Sequence, residues 1–131
     1  MSAQPEDAQT ALPEILLYTL RELVNREGRD LTARQLGLFL VCYLSEEPQT
    51  VRGLAAHLGI SRAVVSRALD RLANLSLAAR GADHRDRRSI LVRRTPEGWA
   101  FLRGIGQIVR QAARKVEEPT RPDRSRRRRV G

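Results

Sequence analysis

Permanent positive charge gathers in two short segments of this chain, beside residue types that suit contact with a polyanion. Arg62, Arg67 and Arg71 share one segment with Ser61, Ala63 and Ser66, and Arg85, Arg87 and Arg88 crowd the other. A guanidinium can fork onto guanine O6 and N7, serine adapts to base or phosphate, and alanine can touch a thymine methyl. Arginine also enters narrow minor grooves, where the potential is most negative. The first segment thus holds candidate groups for reading base edges, and the second for gripping minor groove or backbone. Arg71 has two readings, a phosphate contact or a brace for the second segment.

Such groups need rigid elements to aim them. Thr50 can cap a short helix over 51–58, and Gly59 supplies the permissive backbone of a tight turn. Ser61 can cap a second helix, with Ile60 and Val65 at staple positions. In that helix Val64, Val65, Ala68, Leu69 and Leu72 share one side, while Arg62, Ser66, Arg67, Asp70 and Arg71 fall largely on the other. The spacing predicts a helix-turn-helix whose second helix presents its first turns to a major groove. Strands are predicted over 77–80 and 89–93, joined by a polar loop from Gly81 to Arg88. This is a two-stranded wing. Asp83 and Asp86 in its loop are expected to orient the arginines through ion pairs, with Asp86 as the wing-orienting residue.

The rest of the chain reads as support. Leu12, Ile15, Leu16, Leu20, Leu23 and Val24 keep helical spacing, which predicts a helix over about 11–26 with Pro13 in its first turn and Gly28 at its end. Thr32 to Gln35 is a capping box flanked by Leu31 and Leu36, opening an almost wholly apolar helix to about Ser45. Thr95-Pro96 opens a last helix to about residue 118. Residues 1–10 read as a flexible leader, and 119–131 as a disordered arginine-rich tail that can add non-specific DNA affinity. The expected architecture is mainly α with a small two-stranded β-wing: a winged helix-turn-helix over 11–118, with flanking N- and C-terminal helices for dimerisation.

Composition agrees with one domain of ordinary core. The chain has 131 residues, 41% of them hydrophobic, and a formal net charge of +9. Residues 1–30 carry three arginines against six acids, whereas the middle and the tail are basic. One face for a polyanion and another for a different task is the expectation. The polar N-terminus has no apolar leader segment and no apolar run is long enough to span a membrane. The single cysteine fits a reducing cytoplasm, and the expected location is the nucleoid.

At this point the chain resembles the multiple antibiotic resistance regulator (MarR) family. The resemblance rests on the order of helices, Leu69-Asp70-Arg71-Leu72, Asp86-Arg87-Arg88 in the wing, and Thr95-Pro96-Glu97-Gly98 at the last helix, and it covers about residues 12–118. It implies a winged-helix homodimer binding palindromic operators, usually as a repressor, and release of DNA on binding small aromatic acids or on cysteine oxidation. It carries the minor-groove role onto Arg88 with Asp86 as its partner, and the recognition role onto Ser61 to Arg67. Two positions depart from the family pattern: Ser76 stands where glycine is common, and Arg94 where leucine is usual. Family chains also continue into a sixth helix that interlocks with the partner; here a Pro- and Arg-rich stretch follows Glu118.

Other candidates weigh less. Cys42 lies in the apolar helix and reads as a core residue rather than a redox sensor. His57 and His84 read as surface residues, and no metal cluster completes around His84. Tyr18, Phe39, Tyr43 and Trp99, with Phe101, read either as core packing or as the lining of a pocket for a small aromatic effector. No nucleophile–base pair, phosphate loop or dinucleotide fingerprint is present, which points away from an enzyme and from a cofactor. The expected partner is double-stranded DNA, bound with sequence preference by a homodimer. A sequence-neutral architectural DNA binder and a winged-helix protein-interaction module are the rivals.

Overall fold

The computed structural model describes residues 5–26 and 30–117, with side chains from residue 11 onward. The expected stop at Gly28 and the arginine-rich tail lie outside the described residues. In chain order the elements are α1 (Pro5–Asn25), α2 (Ala33–Leu44), β1 (Gln49–Thr50), α3 (Val51–Leu58), α4 (Arg62–Asn74), β2 (Ala78–Ala82), β3 (Ile90–Arg94) and α5 (Pro96–Glu117). They divide into two compact units, a larger one of residues 26–105 and a smaller one built from α1 and the part of α5 from residue 106.

The larger unit follows from its caps. Thr32 Oγ1 accepts from the Gln35 amide at 3.2 Å and Gln35 Oε1 accepts from the Thr32 amide at 2.9 Å, the reciprocal box that starts α2. Thr50 Oγ1 accepts from the Gly53 amide at 3.0 Å to start α3, and Ser61 Oγ accepts from the Val64 amide at 3.2 Å to start α4. Between α3 and α4 the chain reverses at Gly59, φ 66°, in the left-handed region where glycine meets no steric penalty. Leu38, Phe39, Leu54, Val65, Leu69, Leu72 and Leu77 are fully buried, so α2, α3, α4 and the start of β2 share one apolar centre.

The sheet has three antiparallel strands, not the two expected, in the order β1-β3-β2. β1 pairs Gln49 with Val92 and Thr50 with Leu91; β2 and β3 pair from Ala78 with Arg94 to Ala82 with Ile90. A two-residue strand wedged between Pro48 and a helix cap shows no alternation, so only the long-range pairing reveals it. The longer strands also begin and end one to two residues later than their sequence suggests.

In the smaller unit α1 begins at Pro5, ahead of the expected start near 11, so helix replaces the expected leader over 5–10. Proline suits a first helical position because its φ is already helical and its missing N–H is not needed there. Pro13 then falls inside the helix, where it has no N–H to offer Gln9. Thr19 is buried and returns its hydroxyl to the Ile15 carbonyl at 2.7 Å. The Tyr18 ring lies under two cations, Arg21 and Lys115, each 5.7 Å from its centre. Among the described residues no helix is long and apolar enough to cross a membrane.

Candidate nucleic-acid interface

The helix α4 buries Val65, Ala68, Leu69 and Leu72 and turns its other side outward. Ser61, Arg62, Ala63, Arg67 and Arg71 are exposed, and Ser66 is half-buried. Every residue assigned to base or phosphate contact on this helix is therefore on or beside its solvent face. The amphipathic spacing explains this: four apolar residues within eight positions fix which arc faces the core.

The wing loop joins β2 to β3 and exposes Arg85, Arg87 and Arg88 together. Its aspartates act differently from expectation. Asp83 accepts from the Arg85 backbone amide at 2.9 Å, and Asp86 from the Arg88 amide at 3.0 Å and the Ser89 hydroxyl at 3.3 Å. These are side-chain-to-backbone turns two residues long. The ion-pair expectation is thus corrected: among the described residues the one ion pair joins Arg80 to Asp70. An aspartate two residues before an amide closes a turn at little entropic cost, and the guanidinium stays available. Asp86 shapes the tip from which Arg88 projects.

Two residues to which the sequence assigned no role position this machinery. Arg80, at the centre of β2, donates to the Asp70 carboxylate and, at 3.0 Å, to the Ser66 carbonyl of α4. It fastens the wing's first strand to the reading helix. The brace that was one reading of Arg71 is made by Asp70 instead, and Arg71 stays exposed. The second residue is Arg94, at the end of β3. Its Nε donates to the Cys42 carbonyl at 2.9 Å, Nη2 donates to the Ser45 carbonyl, and the guanidinium lies 5.3 Å from the Trp99 ring centre. A cation on the last carbonyls of α2 is favourable to the helix dipole. The unusual arginine at this position thus ties β3 to α2 and α5. Neither contact could be found by spacing, since the partners are 10 to 52 residues apart.

The aromatic candidates separate. Phe39, Tyr43, Trp99 and Phe101 form a packed stack, with ring centres 4.4 Å apart for Phe39–Tyr43, 5.2 Å for Phe39–Phe101 and 5.1 Å for Tyr43–Trp99. Tyr43 donates to the Leu77 carbonyl at 2.6 Å and accepts from the Thr95 amide at 2.9 Å. Tyr18 belongs to the smaller unit. Cys42 is buried, and burial pushes its thiol up from 9.0 to about 11, with nearby Arg94 opposing weakly. Such a thiol is almost entirely protonated near neutral pH and is poorly suited to oxidation.

The geometry is that of a winged helix-turn-helix, and known proteins share it. A mutant of MepR from a multidrug-resistant S. aureus clinical isolate superposes with a TM-score of 0.75 at 16% identity, covering 99% of this chain and 92% of that one. The Thermotoga maritima transcriptional regulator Tm0710 matches with a TM-score of 0.66 at 20% identity, covering 93% and 80%. Bordetella bronchiseptica BpsR, whose DNA binding is regulated by 6-hydroxynicotinic acid, matches at 0.60 and 21% identity, covering 99% and 89%. No curated protein matches the sequence significantly. The MarR family model matches residues 29–89, the span from the start of the larger unit's helices through the wing loop. The capped helix pair, the wing and that match agree: over residues 29–89 this chain is similar to the MarR family and has the fold of its solved members.

Proposed function

We propose that this chain is a sequence-specific, duplex-DNA-binding transcriptional regulator. It acts as a homodimeric repressor on a palindromic operator, in the cytoplasm and on the nucleoid. The observation that carries this reading is the Arg80 bridge, which joins the exposed arginine face of α4 to the strand that bears the wing. A helix and a wing held as one body can address adjacent grooves with fixed spacing. In this reading Arg62 and Arg67, with Ser66 between them, meet base edges in the major groove, and Arg85, Arg87 and Arg88 hold the minor groove or its flanking phosphates. The arginine-rich tail adds sequence-neutral affinity.

Dimerisation is assigned to α1. Leu12, Leu16, Leu20 and Val24 recur every four residues and remain 71%, 59%, 43% and 68% exposed, an apolar stripe that water does not favour. A small aromatic acid is the proposed effector class, by analogy with BpsR, and Trp99, partly exposed beside Arg94, is the aromatic ring open to it.

The test is selection of bound duplexes from a random pool at physiological salt. The expected result is an inverted repeat with half-sites about one helical turn, roughly 10 base pairs, apart. Recovery of unrelated sequences would favour a sequence-neutral binder, and recovery of none a protein-contact module. Deletion of 119–131 should leave the selected site bound and weaken competitor DNA.

A further inference from the structure

A groove of about 320 Å³ runs between the start of α2 and the flank of α4 opposite the Arg80 bridge. It is lined by Thr32, Arg34 and Gln35 from α2 and by Val64, Arg67 and Ala68 from α4. Two arginines on separate elements line one groove, and its lining contains no acid. Among the described residues neither guanidinium has a hydrogen-bond or ion-pair partner, whereas Arg80 and Arg94 are both engaged. The amides at the start of α2 are not the attraction, since Thr32 and Gln35 already occupy that cap.

Like charges placed across a groove repel unless an anion enters it. The position along α4 limits which anion. Arg67 lines this groove together with Val64 and Ala68, about a quarter turn around α4 from Ser66, where Arg80 is bound, and so on the flank toward α2 rather than the wing. When α4 lies in a major groove, its edge meets the sugar-phosphate wall and not the floor.

We propose that Arg34 and Arg67 form a clamp for a DNA backbone phosphate, on the opposite side of α4 from the wing. Arg67 leaves the base-reading set, and Arg34, outside the helix-turn-helix, joins the DNA contacts. The recognition helix is then flanked by cations on both sides: wing arginines on one, the Arg34–Arg67 groove on the other. This rests on the DNA-binding reading above and adds a contact to it.

Duplex binding by the intact chain, followed by fluorescence anisotropy over a range of salt concentrations, tests the clamp. The probes are the selected duplex and a scrambled duplex. Arg34→Ala and Arg67→Ala should each weaken both duplexes by the same factor and lower the salt slope, and the double variant should lower it by about 0.9, the share of one phosphate. Arg34→Lys should restore most of the slope. Arg34 is exposed and caps nothing, so its variant should melt with the wild type. An Arg34→Ala variant that binds both duplexes like the wild type overturns the clamp, as does an Arg67→Ala variant that changes preference at one base position. A wild-type protein that binds neither duplex overturns the DNA reading itself, a distinct outcome.

Discussion

The two units use their apolar surface in opposite ways. In the larger unit seven large apolar side chains are fully buried and the outward side of α4 is left to arginines, with Leu44, Ile90 and Trp99 as exposed exceptions elsewhere. In the smaller unit α1 shows Leu12, Leu16, Leu17, Leu20 and Val24 to solvent. The larger unit buries most of its large apolar groups and carries exposed arginines on α4 and the wing; in the smaller the apolar groups of α1 are the exposed ones. One asks for a polyanion and the other for an apolar partner.

Truncation should separate the two most sharply. Leu69→Ala, at a fully buried position, should cost about 2–5 kcal/mol of unfolding free energy, while Leu12→Ala should stay within about 0.5 kcal/mol at protein concentrations low enough to keep the chain monomeric. Chemical denaturation measures both, and equal losses would erase the contrast. Next in size, Leu16→Glu should shift sedimentation from dimer to monomer without lowering the helical signal. Burying one leucine contributes about 1.5–3 kcal/mol, so the dissociation constant should rise at least tenfold. A wild type that sediments as a monomer would break this side of the comparison.

A titration sharpens the larger unit's side. Burial raises the Cys42 thiol to about 11 in the folded chain. Its contribution to stability is therefore fully present below pH 9 and lost as pH rises through about 11. At pH 8 it should hold on the order of a hundredfold less thiolate than an ordinary cysteine, and alkylation should be correspondingly slow. Fast alkylation of the folded protein would show that the core opens readily. The smallest effect concerns Ser76, which has φ 60°, a left-handed conformation that burdens any residue but glycine. Ser76→Gly should add about 0.5–1 kcal/mol, read from the melting temperature.

The sequence disclosed what is local. The Thr32–Gln35 box, the Thr50 and Ser61 caps and the apolar arc of α4 depend on neighbours three or four residues away, and each stands where spacing puts it. What depended on distant partners stayed hidden. β1 exists through its pairing with β3, Arg80 reaches back to Ser66 and Asp70, and Arg94 reaches back to α2. The wing aspartates illustrate a subtler limit. Their proximity to arginines was legible, but whether a carboxylate takes a guanidinium or an amide depends on backbone torsions that composition does not encode.

Gly98 carries a consequence of another sort. A Cβ there would land on the Tyr43 hydroxyl and press on the Leu77 carbonyl, so the tyrosine keeps its bonds to Leu77 and Thr95 only while residue 98 has no side chain. Thr95 serves the same joint, donating to Ser76 and accepting from the Gly98 amide. The Thr-Pro-Glu-Gly signature is thus the imprint of a hinge pin between strand and helix. In this chain the joint at Thr95 to Gly98 and the arginine-bearing side of α4 are separate parts.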